Sequence, residues 1–479
     1  MARNTYSVQM GDAGVERHAS TGAAMRTAGS RAVVLGAGVA GLLSAQVLSD
    51  FYDCVIVLER DHLPDHPVHR KGVPQGRHLH QFLTRGTQVL GELFPGILDD
   101  LVAAGAVIND PSRIYTRVGR YELSCAGTLA DPEALQYYQA SRPFMEFHVR
   151  RRVGALGNVT FLDGHEVLEP ITTADAVTGV RVTNRDTDHS TILDTDLVVD
   201  ALGRASRTPE FLQCNGFSAP PVKHAAATWA YSSHLMNIPD GHIAQRMASI
   251  VDHASTATRL LLLAYEHNTW ILAVGHAVGQ GDPPSDFAEL LATAQRFMPP
   301  TIVAGLRDAT PIGDIAIFRN TAAKWRRYDQ MPHFPAGIMV AGDALCTLDP
   351  IWGQGMTMAA MQALTLRDCL RTGYPDLPRR FFATAARHIG PTWAMNQAND
   401  RAPLADGAPV ALRERISKWT TNAALNAATS DITLTERLFR VANLVDPPSR
   451  LQDPTLLPRI FLANLRHPRG QRLADDLIE

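Results

Sequence analysis

Apolar and polar positions near the start of the chain follow two periods in turn. Arg31-Ala-Val-Val-Leu35 is a short apolar run ending at a glycine, the pattern of a strand buried on both faces. Gly41 to Phe51 places apolar residues at helical spacing, and Cys54-Val-Ile-Val-Leu58 is a second run of the buried-strand kind. Together they predict a β-α-β unit with parallel strands. Between Val159 and Gly203, strand-like segments around Val180-Arg-Val182 and Leu197-Val-Val199 are punctuated by turns such as Asp163-Gly164. From Pro209 to Asp329, runs such as Arg259 to Ala264 and Trp270 to Val274 are separated by loops, including Gly281-Asp-Pro-Pro-Ser-Asp286. This predicts a largely antiparallel sheet. Gly337-Ile-Met-Val-Ala341 reads as one more buried strand and Met356 to Leu370 as a long helix. The remainder, from Pro378, reads as helical with breaks at Pro391 and Pro447-Pro448.

Composition narrows the class. The chain has 479 residues, 45% of them hydrophobic, ample for a core, and a net charge of −3. A protein that coats nucleic acid needs clustered excess cation, so no nucleic-acid partner is expected. The five cysteines (Cys54, Cys125, Cys214, Cys346 and Cys369) are widely spaced with no CxxC pair. They fit free thiols in a reducing compartment, not a disulfide scaffold or a cysteine-rich zinc module. Residues 1–29 are rich in Ala, Gly, Ser and Thr without an apolar h-region, and read as a flexible leader, not a signal peptide. The best candidate for a membrane span, Leu260 to Val274, is interrupted by Glu266-His267, so no span is expected. The expected location is the cytoplasm.

Two glycine-bearing segments carry the chemistry. Gly36-Ala-Gly38-Val-Ala40-Gly41 follows the first strand and opens the helix, and Glu59 closes the next strand, 59 − 41 = 18 residues after the last glycine. That is close to the spacing of about 20 residues in dinucleotide-binding units. Gly36 permits the tight turn, Gly38 lets a pyrophosphate approach the backbone, and Gly41 lets helix and strand pack closely. The helix start offers unpaired N–H groups and partial positive charge to the phosphates, and Glu59 offers acceptors for ribose hydroxyls. The second segment is Val340-Ala-Gly342-Asp343-Ala-Leu-Cys-Thr-Leu-Asp-Pro350-Ile-Trp352-Gly353-Gln-Gly355-Met356-Thr357. There a strand ends in Gly-Asp, a loop carries Pro and two glycines, and a helix follows.

This second segment resembles the distal FAD-binding motif of glutathione-reductase-type flavoprotein monooxygenases, the para-hydroxybenzoate-hydroxylase-like fold. The resemblance implies that Asp343 bonds the ribityl chain and that the loop from Pro350 through Gly353 to Gly355 lies beside the isoalloxazine. The N–H groups near Met356 and Thr357 would then face flavin N1 and C2=O, where a helix N-terminus stabilises negative charge. Val198-Val-Asp200-Ala-Leu-Gly203-Arg204 is similar to the strand-end motif these enzymes place near the cofactor, with Asp-Ala-Leu-Gly in place of Asp-Gly. Ser141-Arg142-Pro-Phe-Met145-Glu146 resembles the helix start whose arginine meets the FAD pyrophosphate, and Arg70 stands where many members carry an arginine over the nucleotide. Arg70-Lys-Gly-Val-Pro74-Gln75-Gly-Arg77-His78-Leu-His80 is similar to a segment of actinobacterial FAD-dependent epoxidases and hydroxylases of natural-product pathways. His78 and His80 lack companion ligands at metal-binding spacing, so no metal site is expected.

The expected architecture is α/β. A Rossmann-like FAD-binding domain, residues 30–208 and 331–375, holds an inserted, mainly antiparallel β-sheet substrate domain, 209–330, and a helical C-terminal region, 376–479. The resemblance implies a flavin-dependent monooxygenase. Oxygen from O2 would pass through a flavin C4a-(hydro)peroxide into an alkene, as an epoxide, or an activated ring, as a hydroxyl, of an apolar small-molecule substrate. No obligatory protein nucleophile is implied, and Trp352 is the candidate to reach substrate. With a single glycine fingerprint, electrons would come from NAD(P)H or from a partner flavin reductase. The Trp-x-Trp-x-Ile-Pro signature of the halogenase relatives is absent. A desaturase or prenyl-chain reductase, and a non-catalytic carrier on the same fold, are the alternatives.

Overall fold

The computed structural model describes residues 28–466 apart from 174, 226–227, 253–257, 280, 320–321 and 402–411. Most of the expected leader therefore lies outside the described residues. A five-stranded parallel sheet has the order Ile338–Val340, Leu197–Asp200, Gly29–Leu35, Tyr52–Leu58, Val159–Leu162. The buried runs read in the sequence are its central strands, and helix Val39–Ser49 joins the first two in chain order. Helices Arg142–Gly154 and Gly355–Arg371 pack with it on one face of the sheet. A three-stranded antiparallel meander, His165–Thr173, Ala176–Asn184 and Ser190–Asp194, lays Val180 and Val182 against Val33 and Val198 on the other face.

The register of this sheet decides where the motifs meet. Leu35 pairs with Leu58 on one side and Asp200 on the other, and Asp200 pairs with Val340. Gly36, Glu59, Ala201 and Ala341 therefore leave the sheet side by side. This carboxyl edge is where ligands bind in open parallel sheets.

The second large sheet has seven strands. Its order is Thr310–Phe318, Trp229–Asn237, Thr269–Ala277, Thr258–Ala264, Met247–Val251, Ile114–Val118, Tyr121–Glu122. All its pairings are antiparallel except that of Met247–Val251 with Ile114–Val118. Ile114–Val118 and Tyr121–Glu122 come from inside the stretch assigned above to the FAD-binding domain. They cover the open edge of Met247–Val251, satisfying backbone groups that a short edge strand would leave bare. Alternation puts Leu260, Leu262, Leu272 and Val274 on one face, closed by helices Phe287–Phe297 and Pro300–Leu306. The other face looks toward the parallel sheet's loops.

The C-terminal region is helical, with Leu377–Arg401, Leu412–Ala428, Ile432–Ala442 and Leu457–Arg466. Pro391 does not break the first of these; it sits inside it. A proline costs one N–H bond there, and the packing of Phe381, Phe382, Ala385, Ile389 and Trp393 into the main core outweighs that loss. Pro447 and Pro448 do lie beyond a helix end.

Candidate functional site

The first glycine loop is shaped by backbone, not side chains. Gly36 has φ +97°, left-handed space that favours glycine, and a Cβ there would stand 2.9 Å from the Ala201 carbonyl oxygen. A Cβ on Gly41 would overlap the Gly36 carbonyl oxygen. Gly38 is the N-cap of Val39–Ser49 and has no side-chain cap. Among the described residues beyond its chain neighbours and its own helix, the one atom within 4 Å of a Cβ built on it is Nη2 of Arg142, at 3.9 Å. Arg142 opens its own helix, capped by Ser141 Oγ accepting from the Phe144 N–H. A helix start with N–H groups lacking intrahelical partners, a bare glycine and a guanidinium thus face one space, which is what a pyrophosphate requires.

Behind this loop lies a buried charge network. Glu59 Oε2 accepts from the Ala37 N–H at 3.0 Å and lies 3.0 Å from Arg70 Nη1. Arg70 Nε donates to Glu146 Oε1 at 2.9 Å, Nη2 also reaches Glu146, and Asp61 stands 3.8 Å away. Burial works against the Arg70 charge, but Glu146 and Glu59 overcome it and hold its pKa above the usual value. Arg70 is thus engaged by carboxylates and steadies Glu59. Glu146 also sits 3.7 Å from Arg142 Nε, four residues earlier on the helix. It was not singled out from the sequence, although this i,i+4 spacing is the signal that could have found it.

The two distant motifs meet. A Cβ on Gly342, φ +64°, would come within 2.6 Å of the Ala40 Cβ, so the second motif packs on the helix of the first. Gly342 N–H is fixed by Gln362 Oε1 at 2.7 Å. Asp343 is half-buried. Its Cβ lies 3.7 Å from a Cβ position on Gly203, φ +64°, and its Oδ1 3.8 Å from one on Gly355. Burial raises the Asp343 pKa, opposed by Arg204, Arg142 and Arg326. Arg326 is buried and donates to the Ala344 carbonyl at 2.9 Å, tying the loop back to the Lys324–Arg326 strand. Asp200 is spent internally: it accepts from Ser206 Oγ and Thr208 Oγ1 at 2.5 Å each and from the Leu202 N–H at 3.0 Å.

The loop after Asp343 turns through Pro350–Trp352 to Gly353, φ +63°, and starts helix Gly355–Arg371. The N–H groups of Gly355, Met356 and Thr357 precede the first intrahelical bond, Met358 N–H to Gln354 O at 2.9 Å. Thr357 Oγ1 instead accepts from the Leu83 N–H at 3.0 Å, anchoring the segment after His80. Trp352 does not stand alone in the space. Its ring lies 3.7 Å from the Arg259 guanidinium carbon, and Trp229 covers the other side at 4.0 Å. Such a desolvated cation–π sandwich is worth about 2 kcal/mol or more per face at best.

His78 and His80 bind no metal ligand partners, and among the described residues no group of three or more His, Cys, Asp or Glu could hold an ion. His80 Nε2 lies 3.3 Å from Arg142 Nη1, while Nδ1 lies 3.0 Å from the His78 carbonyl. Burial, with Arg142 alongside, drops its pKa to about 3. His78 Nδ1 lies 3.1 Å from Ser233 Oγ, and its ring packs edge-on against Tyr231 at 4.6 Å. Burial, with Arg77, drops its pKa to about 4. Ser233, Tyr231, Phe318 and Arg259 escaped the sequence reading because nothing in their local text marks them.

The residues present fit FAD. Gly38, Gly353 and Gly355 leave open space beside two helix starts and Glu59, Arg142 and Asp343, the donors and acceptors that a pyrophosphate and a polyol chain need. No protein-family model matches the chain. Protein Rv3254 of Mycobacterium tuberculosis is 36% identical over 453 residues, covering 91% of this chain and 94% of that protein. Solved structures share the fold at low identity. A flavoprotein/dehydrogenase from Cytophaga hutchinsonii matches with TM-score 0.65 at 14% identity over 91% of this chain and 99% of its own. The p-nitrophenol 4-monooxygenase PnpA of Pseudomonas putida matches with TM-score 0.60 at 15% identity over 88% and 100%. The myxobacterial chondrochloren halogenase CndH matches with TM-score 0.58 at 18% identity over 88% and 98%.

Proposed function

The chain belongs to the family of Protein Rv3254, and on its para-hydroxybenzoate-hydroxylase-like fold we propose an FAD-dependent monooxygenase acting on an apolar small molecule. The observation that carries this reading is the close approach of Gly342 to Ala40, which brings a pyrophosphate-type loop against an Asp-bearing, glycine-rich loop. When bound and reduced, FAD supplies the electrons that activate O2. One oxygen atom enters the substrate as an epoxide or a hydroxyl and the other leaves as water, with two electrons drawn from NAD(P)H or a flavin reductase.

The chain's own residues bind, orient and seal. Gly38 and Arg142 receive the pyrophosphate, with Glu59, steadied by Arg70, toward the ribose. Asp343 takes a hydroxyl of the ribityl chain, and Gly203 lets that chain pass close to the backbone. The N–H groups of Gly355, Met356 and Thr357 favour negative charge on the ring. Pro350, Gly353 and Trp352 shape the loop beside it, and the Arg259–Trp352 contact pins that loop to the antiparallel sheet. Among the described residues, the strands Trp229–Asn237, Thr258–Ala264 and Thr269–Ala277 opposite carry no Asp or Glu that could serve as a base. This supports attack on an alkene or an already activated ring over one that needs deprotonation. PnpA is described as a monooxygenase and CndH as a halogenase, so both chemistries occur on this fold. Lack of the Trp-x-Trp-x-Ile-Pro signature supports the former here.

The test is reduction followed by turnover. Reconstituted protein mixed anaerobically with NADPH, with and without a flavin reductase, identifies the electron source by bleaching of the flavin. Product analysis in 18O-labelled O2 then decides the chemistry. Label in the product supports oxygen insertion; an unlabelled product formed equally well without O2 would replace it with a desaturase or reductase.

A further inference from the structure

The face of the seven-stranded sheet that looks toward the flavin loop differs from the face closed by helices. Register sets Arg259 opposite Gly275, and Tyr231 opposite both Gly275 and Phe318. Ile351 of the flavin-side loop packs over Gly275, where a Cβ would collide with it. One pair further along, Leu261 and Ala273 are partly exposed, and so is Leu235 in the row beyond, although all three belong to the same buried sheet. An apolar floor therefore opens beside the loop. Leu79, from the Arg77–His80 segment, packs at its far end.

Two polar groups interrupt this floor. His78 is 5% exposed and Tyr231 7%. Ser233 holds His78 Nδ1, but neither His78 Nε2 nor Tyr231 Oη bonds to a described residue. Neither atom is sealed from solvent as the partnerless Trp352 Nε1 is. With ring centroids 4.6 Å apart at 70°, the two groups stand side by side, and Phe318 backs both rings. Arg259 presents no nitrogen to the floor, because the two indoles and the sheet enclose its guanidinium; Arg204 stands behind Phe318, its guanidinium carbon 5.6 Å from that ring's centroid.

Resting on the monooxygenase reading above, we propose that His78 and Tyr231 form a clamp for a neutral oxygen function of the substrate, a hydroxyl or a ketone on an otherwise apolar skeleton. Tyr231 Oη donates. His78 Nε2 donates or accepts according to the tautomer that Ser233 sets. Burial keeps the imidazole neutral and the phenol protonated, with Arg77 beside the first and Arg204, Asp349 and Asp343 around the second. The clamp itself is uncharged, and the flanking cations Arg77 and Arg204, the latter over the Phe318 ring, are solvent-exposed, so they offset little of a carboxylate's desolvation. A pure hydrocarbon would strand both polar atoms without water.

The experiment uses four probes of one skeleton: naphthol, acetonaphthone, naphthoate and methylnaphthalene. Binding is read by quenching of tryptophan fluorescence in the FAD-loaded protein and again in the flavin-free protein. Naphthol and acetonaphthone are expected to bind about tenfold tighter than the other two, the size of one or two hydrogen bonds. Tyr231→Phe and His78→Phe should each remove most of that preference with flavin content unchanged. His78→Asn serves if the phenylalanine variant fails to fold. Naphthoate binding as tightly as naphthol, four equal affinities, or a preference that survives both variants would overturn the clamp. Because the fluorescence titration needs no flavin, a protein that retains the preference yet never binds FAD would sink the monooxygenase reading alone.

Discussion

The carboxyl edge of the parallel sheet and the open face of the antiparallel sheet border the same space, and they are built by opposite means. At the parallel edge, backbone does the work. Four strand ends in register deliver glycine turns and helix starts to one line, and the charged side chains behind them, Glu59, Arg70, Glu146 and Arg142, form one chain of ion pairs. On the antiparallel face, side chains do the work: His78 reaches in from a loop to meet Tyr231 and Ser233, and Arg259 is layered between indoles. The difference teaches which part is fixed and which is adjustable. A backbone cradle suits an unchanging cofactor, whereas a wall of side chains can be retailored to a substrate without disturbing the register.

The largest effect is expected where the charge network is broken. Arg70→Met leaves Glu59 and Glu146 buried without their main cation and should cost about 3–5 kcal/mol of stability. Chemical denaturation measures it; a loss below 1 kcal/mol would mean that the network is not a unit. Gly38→Val comes next and separates binding from folding. Among the described residues its Cβ meets Arg142 alone beyond its own helix, so the protein should fold while FAD affinity drops at least a hundredfold, about 2.8 kcal/mol. Asp343→Ala removes one charge-assisted hydrogen bond worth about 1.5–3 kcal/mol. FAD affinity should fall tenfold to a hundredfold by titration, and unchanged affinity would take Asp343 out of the cradle.

Smaller effects probe the other wall. Arg259→Met keeps volume but loses the cation between the indoles, and should cost about 1–2 kcal/mol. A red shift of tryptophan emission should accompany it as Trp352 loosens. The smallest effect is pH-dependent. The His78 pKa is lowered by burial from 6.5 to about 4, so the folded protein binds fewer protons than the unfolded chain between those values. His78 therefore contributes stability that is present above pH 6.5 and lost as pH falls toward 4. The melting temperature should fall from pH 7 to pH 5, and less steeply in His78→Phe; equal slopes would show that the imidazole is not held neutral.

Much of the parallel half was legible in the sequence because its determinants are local. A buried strand, a glycine turn and a helix start lie within a dozen residues, as from Arg31 to Gly41, and strand order makes distant copies of that pattern adjacent. Glu146 is less legible because the helix start is marked by Arg142, and only the i,i+4 spacing points to the carboxylate one turn on. The substrate wall was not legible. Tyr231, Arg259 and Phe318 sit in alternating strands like any others, and pairing register alone brings them opposite His78 and Trp352. Pro391 misled for a related reason, since tertiary packing overrode a local rule. The edge strand Ile114–Val118 likewise joins its sheet through a long-range parallel pairing that no local pattern announces.

The central claim, that residues near Gly38 and residues near Asp343 hold one FAD between them, is tested most directly by reconstitution. Purified protein incubated with excess FAD and desalted should retain one flavin per chain, and the Gly38→Val and Asp343→Ala variants, folded by circular dichroism, should each retain less. A folded wild-type protein that stays colourless after this treatment would contradict the account.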